Sequence, residues 1–203
     1  MSGGAASDPW TREALRLNAR YVEEIVVGWG LCPWAAQAWR TGAVSRRVSL
    51  ARDAEPAPVL AFIDELAAGN HAIGLFIWPR LPLDAAAFGR FAEQIRRGDR
   101  ARHEPPFLIA AFHPELREQP PADAASLVPF IRRTPDPTLQ LVRARLLDDL
   151  GRAGRDVSGE VARANFAAVQ TRTPAALDRA LRDIRRDRDD SYARLAASAA
   201  AID

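Results

Sequence analysis

Three short segments of the sequence carry residue types that could do chemistry. Cys32 is the only cysteine, His113 is one of three histidines, and the segment Arg132–Asp136 combines two arginines with an aspartate. A thiolate can attack an electrophilic carbon, an imidazole exchanges protons near neutral pH, and guanidinium groups hold carboxylates or phosphates. These residue types together would suit an enzyme that acts on a small anionic metabolite, with Cys32 and His113 as catalytic residues.

Cys32 precedes Pro33, which suits the first turn of a short helix predicted over Trp34–Trp39. A sulfur at a helix start would face free backbone N–H groups and the positive end of the helix dipole, which favour the thiolate. The alternative is an inert cysteine packed between Trp29 and Trp34, since free cysteines are commonly buried. Because the chain has no CxxC motif, dithiol redox chemistry and a cysteine-rich zinc site are excluded.

Two predicted buried strands end in polar residues. One ends in Trp78-Pro79-Arg80 and the other in Phe112-His113-Pro114. If the strands are parallel, Arg80 and His113 lie at the same edge of the sheet, where open α/β sheets bind their ligands. His113 would then be placed for acid–base work or metal binding. The alternative is a histidine that closes a strand end by bonding to a backbone carbonyl.

The segment Arg132–Asp136 precedes a helix predicted over Pro137–Leu150, for which Asp136 is the predicted N-cap. Guanidinium groups of Arg132 and Arg133 beside free helix N–H groups, with Thr134 between them and the helix, would form a site for phosphate or carboxylate. Arg143 lies one to two turns into that helix and could face the same site or water. The alternative is a rigid helix start with both arginines in solvent.

Other classes of function remain open. One is a non-catalytic module that binds a small anion or a protein partner, with some of the five tryptophans as anchors. Another is a metal or haem site formed by Cys32 and His113, because a Cys-Pro pair can present a thiolate to iron. Nucleic acid is not an expected partner, since 28 arginines face 26 acidic residues and the net charge is only +2. P-loop, GxGxxG, GxSxG and HExxH motifs do not occur.

Alternating strand and helix patterns predict an α/β fold with a small, mainly parallel sheet of three or four strands flanked by helices. The strands are predicted at Val44–Leu50, Ala72–Trp78 and Phe107–Phe112, and residues 115–129 are predicted to be mostly loop. Helical segments are expected at both ends of the chain, the first capped by Asp8. Further helices are predicted over 56–68, from Asp84 onward, over 158–170 and from Pro174 onward. Asn18 lies on the buried face of the first helix, which suggests a hydrogen-bonded core amide more than a ligand contact.

The predicted domain organisation is a disordered N-terminus (1–8), an α/β domain (9–152) and a helical C-terminal extension (153–203) packed on the same domain. The start MSGGAASDPW lacks the apolar core of a signal peptide. No stretch approaches the roughly 18 apolar residues of a membrane helix, so no membrane association is expected. A single cysteine fits a reducing compartment. We therefore expect a cytoplasmic protein.

Three ordered motifs resemble a family of uncharacterised bacterial proteins, the domain of unknown function 1415. They are Gly30–Ala35 (GLCPWA), Phe112–Pro114 (FHP) and Arg133–Arg143 (RTPDPTLQLVR), and the resemblance covers about residues 10–150. It implies no activity. It does imply that a set of polar residues in these motifs forms one recurring constellation, namely Cys32, His113, Arg133, Asp136 and Arg143.

Overall fold

A four-stranded sheet lies between two layers of helix in the computed structural model, which describes residues 8–32, 35–69, 71, 73–104, 107–116, 119–143 and 157–200. The strands are β1 (Val44–Val48), β2 (Ile73–Ile77), β3 (Phe107–Phe112) and β4 (Thr138–Arg143). The helices are α1 (Pro9–Tyr21), a π-helical continuation of α1 (Val22–Val27), α2 (Ala35–Arg40), α3 (Pro56–Ala68), α4 (Ala85–Arg100), α5 (Ala124–Ile131), α6 (Val157–Arg172) and α7 (Pro174–Ala200).

The strand order is β1-β2-β4-β3. Strands β1 and β2 are parallel, whereas β4 runs antiparallel to both of its neighbours, β2 and β3. The predicted α/β class with a small sheet and helical terminal segments is confirmed. The expectation of a mainly parallel sheet is wrong, because β4 inserts between two strands that share one direction.

The segment that forms β4 was predicted as part of a helix over Pro137–Leu150, and this prediction is wrong for residues 138–143. Leu139 and Leu141 alternate into one buried face, while Thr138 and Gln140 point to the other, which is the period of a strand. Residues 144–150 lie outside the described residues. No helix begins beside Asp136, so the helix-dipole argument for an anion site at Arg132 and Arg133 no longer applies.

Helices α3 and α4 cover one face of the sheet. Asp84 caps α4 by accepting a hydrogen bond from the Ala87 N–H at 2.7 Å, as the sequence predicts. The apolar stripe of α4 faces the sheet with Phe88, Phe91 and Ile95 fully or nearly buried. These side chains join the aromatic residues of β2 and α3 in one core cluster.

Helices α1, α5, α6 and α7 cover the other face, around a second core cluster. Asp8 caps α1 by accepting from the Trp10 and Thr11 N–H groups. Helix α5 begins with a reciprocal capping box between Asp123 and Ser126, so the mostly irregular loop expected at this point is in part a helix. Helices α6 and α7 form where the C-terminal helices were predicted.

Three segments meet at one edge of the sheet. Because β4 is antiparallel to both β2 and β3, the ends of β2 and β3 and the start of β4 share an edge. The Trp78 N–H donates to the Pro137 carbonyl at 3.0 Å, and the His113 N–H donates to the Arg132 carbonyl at 3.1 Å. These bonds fix segment 132–138 against both strand ends.

The N-terminus predicted to be disordered (1–8) lies outside the described part of the chain except for Asp8, which caps α1. Within the described ranges, none of the helices combines the length and the apolar character that crossing a bilayer requires.

Candidate functional site

A cavity of about 340 Å³ lies between the sheet and the helix layer that contains α1. Its walls come from α1 and its π-helical continuation, from the sheet face opposite α3 and α4, from residues 128–134 and from α6. Most of the lining is apolar. The large apolar side chains in it are Val22, Val26, Leu31, Trp39, Val44, Ile73, Leu75, Phe112, Val128 and Ile131.

Most polar groups of the lining already have partners within the protein. The hydroxyls of Thr134 and Thr138 both donate to the Asp136 carbonyl, at 2.7 and 2.9 Å. Asn165 donates to the Leu31 carbonyl at 2.7 Å, and the Tyr21 hydroxyl donates to the Ile131 carbonyl at 2.5 Å. These groups hold the walls together, so Thr134, which the sequence suggested as a binding residue, supports the backbone of this segment.

Among the described residues that line the cavity, Arg132 is the one with a charged side chain. It follows α5, and its carbonyl accepts hydrogen bonds from the His113 and Thr134 N–H groups, both at 3.1 Å. Its guanidinium carbon lies 5.4 Å from the centre of the Phe112 ring. In the part of the chain that the structure describes, the Arg132 side chain forms no ion pair or hydrogen bond.

Burial lowers the pKa of the Arg132 guanidinium from its ordinary value, partly offset by the nearby Tyr21 hydroxyl. An arginine nevertheless keeps its proton at any physiological pH. The cavity therefore contains a positive charge that is partly removed from water and lacks a counter-charge among the described residues.

Cys32 also lines this cavity and is partly exposed. It follows a turn in which Gly30 has φ of 64°, a conformation that glycine adopts without strain. Pro33 and Trp34 lie outside the described residues, so neither interpretation of Cys32 based on them is tested. Cys32 and Arg132 nevertheless share one cavity, as the hypothesis of a joint site requires.

His113 lies on the opposite side of the sheet from Cys32. Its Nε2–H donates to the Leu83 carbonyl at 2.9 Å, its Nδ1 accepts from the Glu115 N–H at 3.2 Å, and its ring packs beside Phe88. Burial lowers the pKa of His113, although the bond to Leu83 acts in the other direction. Both ring nitrogens are engaged, which matches the alternative of a histidine that closes a strand end. The structure does not bring His113 and Cys32 together.

This separation predicts the result of a thiol-reactivity experiment. We expect His113→Gln to leave the pH profile of Cys32 alkylation by iodoacetamide unchanged, because the ring does not face the cavity. Second-order rates would be measured between pH 6 and 10 on the folded protein, with circular dichroism as a check on folding. A displacement of the profile by more than about one pH unit, roughly 1.4 kcal/mol of thiolate stabilisation, would restore the Cys–His pair.

Arg133 and Asp136 are tied to α7. Arg133 is 8% exposed and pairs with Asp178 at 2.9 Å. Asp136 is 1% exposed and accepts a hydrogen bond from the Tyr192 hydroxyl at 2.7 Å. Burial raises the pKa of Asp136 to about 6, although the bond from Tyr192 and the nearby Arg188 lower it. Both predicted site residues hold the C-terminal helix to the sheet edge.

Arg143 and Arg80 lie elsewhere. Arg143, at the far end of β4, donates to the carbonyls of Leu66, Ala67, Gly69 and His71, which closes the C-terminal end of α3. Arg80 is exposed and lines an open groove on the surface. Its guanidinium carbon lies 5.2 Å from the centre of the Trp10 ring. The structure thus places Cys32, Arg132 and Thr134 together and puts His113, Arg133, Asp136, Arg143 and Arg80 outside the cavity.

Sequence reasoning missed Gln140 and the apolar walls, and assigned Asn18 to the core rather than to a cavity. A strand period at residues 138–142 is the signal that would have placed Gln140 on this face.

Within the described ranges, no three His, Cys, Asp or Glu side chains are grouped as a metal site would require.

Comparison with known proteins gives one positive result. Neither a curated protein nor a solved structure matches the chain. A family model described as a protein of unknown function (DUF1415) matches residues 13–178. This span is most of the chain and contains the three motifs on which the resemblance was based. The chain belongs to the DUF1415 family.

Proposed function

We propose that the protein binds a small organic anion in this cavity, a molecule with one carboxylate or similar group and a mainly apolar body. The observation that carries the proposal is the charge of Arg132, which meets apolar walls and no counter-charge among the described residues. The other polar side chains of this segment have partners in the protein, so Arg132 stands apart from them.

The physical argument concerns desolvation. Taking an unpaired charge out of water costs several kcal/mol, even after the protein relaxes around it. A ligand carboxylate supplies the missing counter-charge and accepts two parallel hydrogen bonds from a guanidinium. An apolar pocket with a few polar groups that fix orientation is the usual form of a small-molecule site.

The cavity also limits the size of the ligand. An apolar cavity of about 150 Å³ holds a benzene molecule. By proportion, the cavity volume of about 340 Å³ accommodates roughly fourteen non-hydrogen atoms. This matches a medium-chain or aryl carboxylate, and it is too small for a nucleotide.

The lining favours binding over catalysis. Its described residues include no histidine, aspartate or glutamate, and its one tyrosine, Tyr21, already donates its hydroxyl proton to the Ile131 carbonyl. The enzymatic alternative, in which Cys32 attacks the bound anion, therefore lacks a described proton acceptor. The metal or haem alternative finds no second soft ligand in the described lining.

The predictions of no nucleic-acid partner and of cytoplasmic localisation remain predictions.

The test is binding of 3-phenylpropionate and octanoate, measured by calorimetry on the full chain, with neutral 3-phenylpropanamide for comparison. We expect the acids to bind more tightly than the amide and Arg132→Gln to weaken acid binding about 10- to 100-fold, the value of a charge-assisted hydrogen bond. Arg132→Gln should leave the free energy of unfolding unchanged or slightly higher, because it removes an unpaired charge.

Arg80→Gln is the matched control, since it removes an exposed arginine outside the cavity. It should leave the Kd of both acids unchanged. The proposal fails if neither acid binds, if acid and amide bind equally, or if the two arginine variants have the same effect.

A further inference from the structure

A second polar side chain of the same cavity contains an atom without a hydrogen-bond partner in the described part of the chain. Asn18, on α1, is 2% exposed and lines the cavity. Its Oδ1 is the buried side-chain oxygen that accepts no hydrogen bond in the described part of the chain. The hydrogen-bonded core amide expected from the sequence is therefore incomplete, since a buried amide oxygen normally has a donor.

Other buried polar side chains of the same lining have partners, unlike the Asn18 oxygen. Asn165 is also buried and lines the same cavity, but its amide donates to the Leu31 carbonyl. The two threonine hydroxyls of the lining also have acceptors. The unused acceptor of Asn18 therefore distinguishes it from these three side chains.

We propose that the ligand is a hydroxy acid: its carboxylate meets Arg132, and a hydroxyl on its apolar body donates a hydrogen bond to Asn18 Oδ1. This inference rests on the proposed function, because it adds a second contact to the same bound anion. A site built to bond a hydroxyl discriminates strongly against the analogue that lacks it, since the buried acceptor is then left unpaired.

One bound molecule can contact both polar side chains, because Asn18 and Arg132 line the same cavity. The two walls that carry them are joined, since the Tyr21 hydroxyl of α1 donates to the carbonyl of Ile131, the residue before Arg132. Asn18 lies one helical turn before Tyr21.

The test compares 3-phenylpropionate with its 2-hydroxy, 3-(3-hydroxyphenyl) and 3-(4-hydroxyphenyl) analogues, titrated into wild type, Asn18→Leu and Arg132→Gln. We expect at least one hydroxy acid to bind wild type about tenfold more tightly than 3-phenylpropionate, a gain typical of one buried hydrogen bond. Asn18→Leu should abolish that preference, so that hydroxy and unsubstituted acids bind the variant equally. Arg132→Gln should weaken all of the acids together.

The possible failures are distinguishable. Equal binding of hydroxy and unsubstituted acids to wild type, with the Arg132 effect intact, overturns the hydroxyl contact and leaves the proposed anion site in place. The hydroxyl contact is also overturned if Asn18→Leu still binds hydroxy acids more tightly than 3-phenylpropionate. It is likewise overturned if Asn18 Oδ1 bonds only to water when a hydroxy acid is bound. Failure of every acid to bind wild type overturns both proposals. Asn18→Ala serves as the second variant should the leucine fail to fold, as judged by circular dichroism.

Discussion

Arg133→Met is expected to lower the free energy of unfolding by about 3 kcal/mol or more. Removing one partner of a buried ion pair typically costs 3–5 kcal/mol. Asp178 keeps its second partner, Arg182, but that side chain is largely exposed and water screens its charge, so it compensates the carboxylate only in part. The Arg133 guanidinium also donates to the Phe130 carbonyl at 3.0 Å and stacks 4.1 Å from the Phe130 ring centre. Methionine retains the packing of the side chain but none of these polar contacts. Urea-induced unfolding at pH 7 measures the difference.

Arg182→Met is the matched control, because Arg182 pairs with the same carboxylate, that of Asp178. The Arg182 side chain is 59% exposed, whereas that of Arg133 is 7% exposed. An exposed pair contributes about 1 kcal/mol or less. Small, equal losses in the two variants would contradict the conclusion that the buried Arg133–Asp178 pair holds α7 to the sheet edge.

Asp136 is expected to make stability decrease as the pH rises from about 4 to 7. Its pKa is about 6 in the folded protein, against an ordinary value of 3.8. Between these values the folded chain holds the proton more tightly than the unfolded chain, so protonation stabilises the fold. The contribution is fully present below pH 3.8 and is lost as the pH rises through 6; its size is roughly 2–3 kcal/mol at 1.36 kcal/mol per pH unit.

Asp136→Asn removes the titration while keeping an acceptor for the Tyr192 hydroxyl. The free energies of unfolding of wild type and variant would be compared between pH 4.5 and 7.5. We expect wild type to lose stability relative to the variant across this range. A constant difference between the two proteins would show that Asp136 titrates normally. Tyr192→Phe should steepen the loss, since the Tyr192 bond stabilises the charged carboxylate.

Much of the fold followed from local patterns. The caps at Asp8 and Asp84 and the helical stripes behind them predict α1 and α4 because each signal depends only on neighbouring residues. Strand β4 was missed because Leu139, Val142 and Leu146 also fit a helical period. Burial of both faces of residues 138–142 between β2 and β3 is a tertiary property, and it decided the outcome.

The site was predictable only in part. Arg132 was assigned to an anion site because a helix was predicted to begin at Pro137, where the structure has strand β4. The cavity that makes Arg132 a candidate depends on residues over 100 positions apart. The contacts of α7 with Asp136 were not predicted, because alternating charges such as those of residues 185–190 are typical of a solvated helix face. Extending the stripe of Leu177, Leu181 and Ile184 by two turns reaches Ser191 and Tyr192, which are buried.

The position of β4 in the sheet has a consequence for the order of folding. A chain synthesised only as far as residue 112 contains β1, β2 and β3 but lacks the strand that separates β2 from β3. Both would then present unpaired backbone groups on the sides that β4 later occupies, and such edges pair readily with other chains. Strand β4, one of the two inner strands, is the last of the four to leave the ribosome. The sheet is therefore completed from its middle, and a growing chain carries two open edges until Arg143 has emerged.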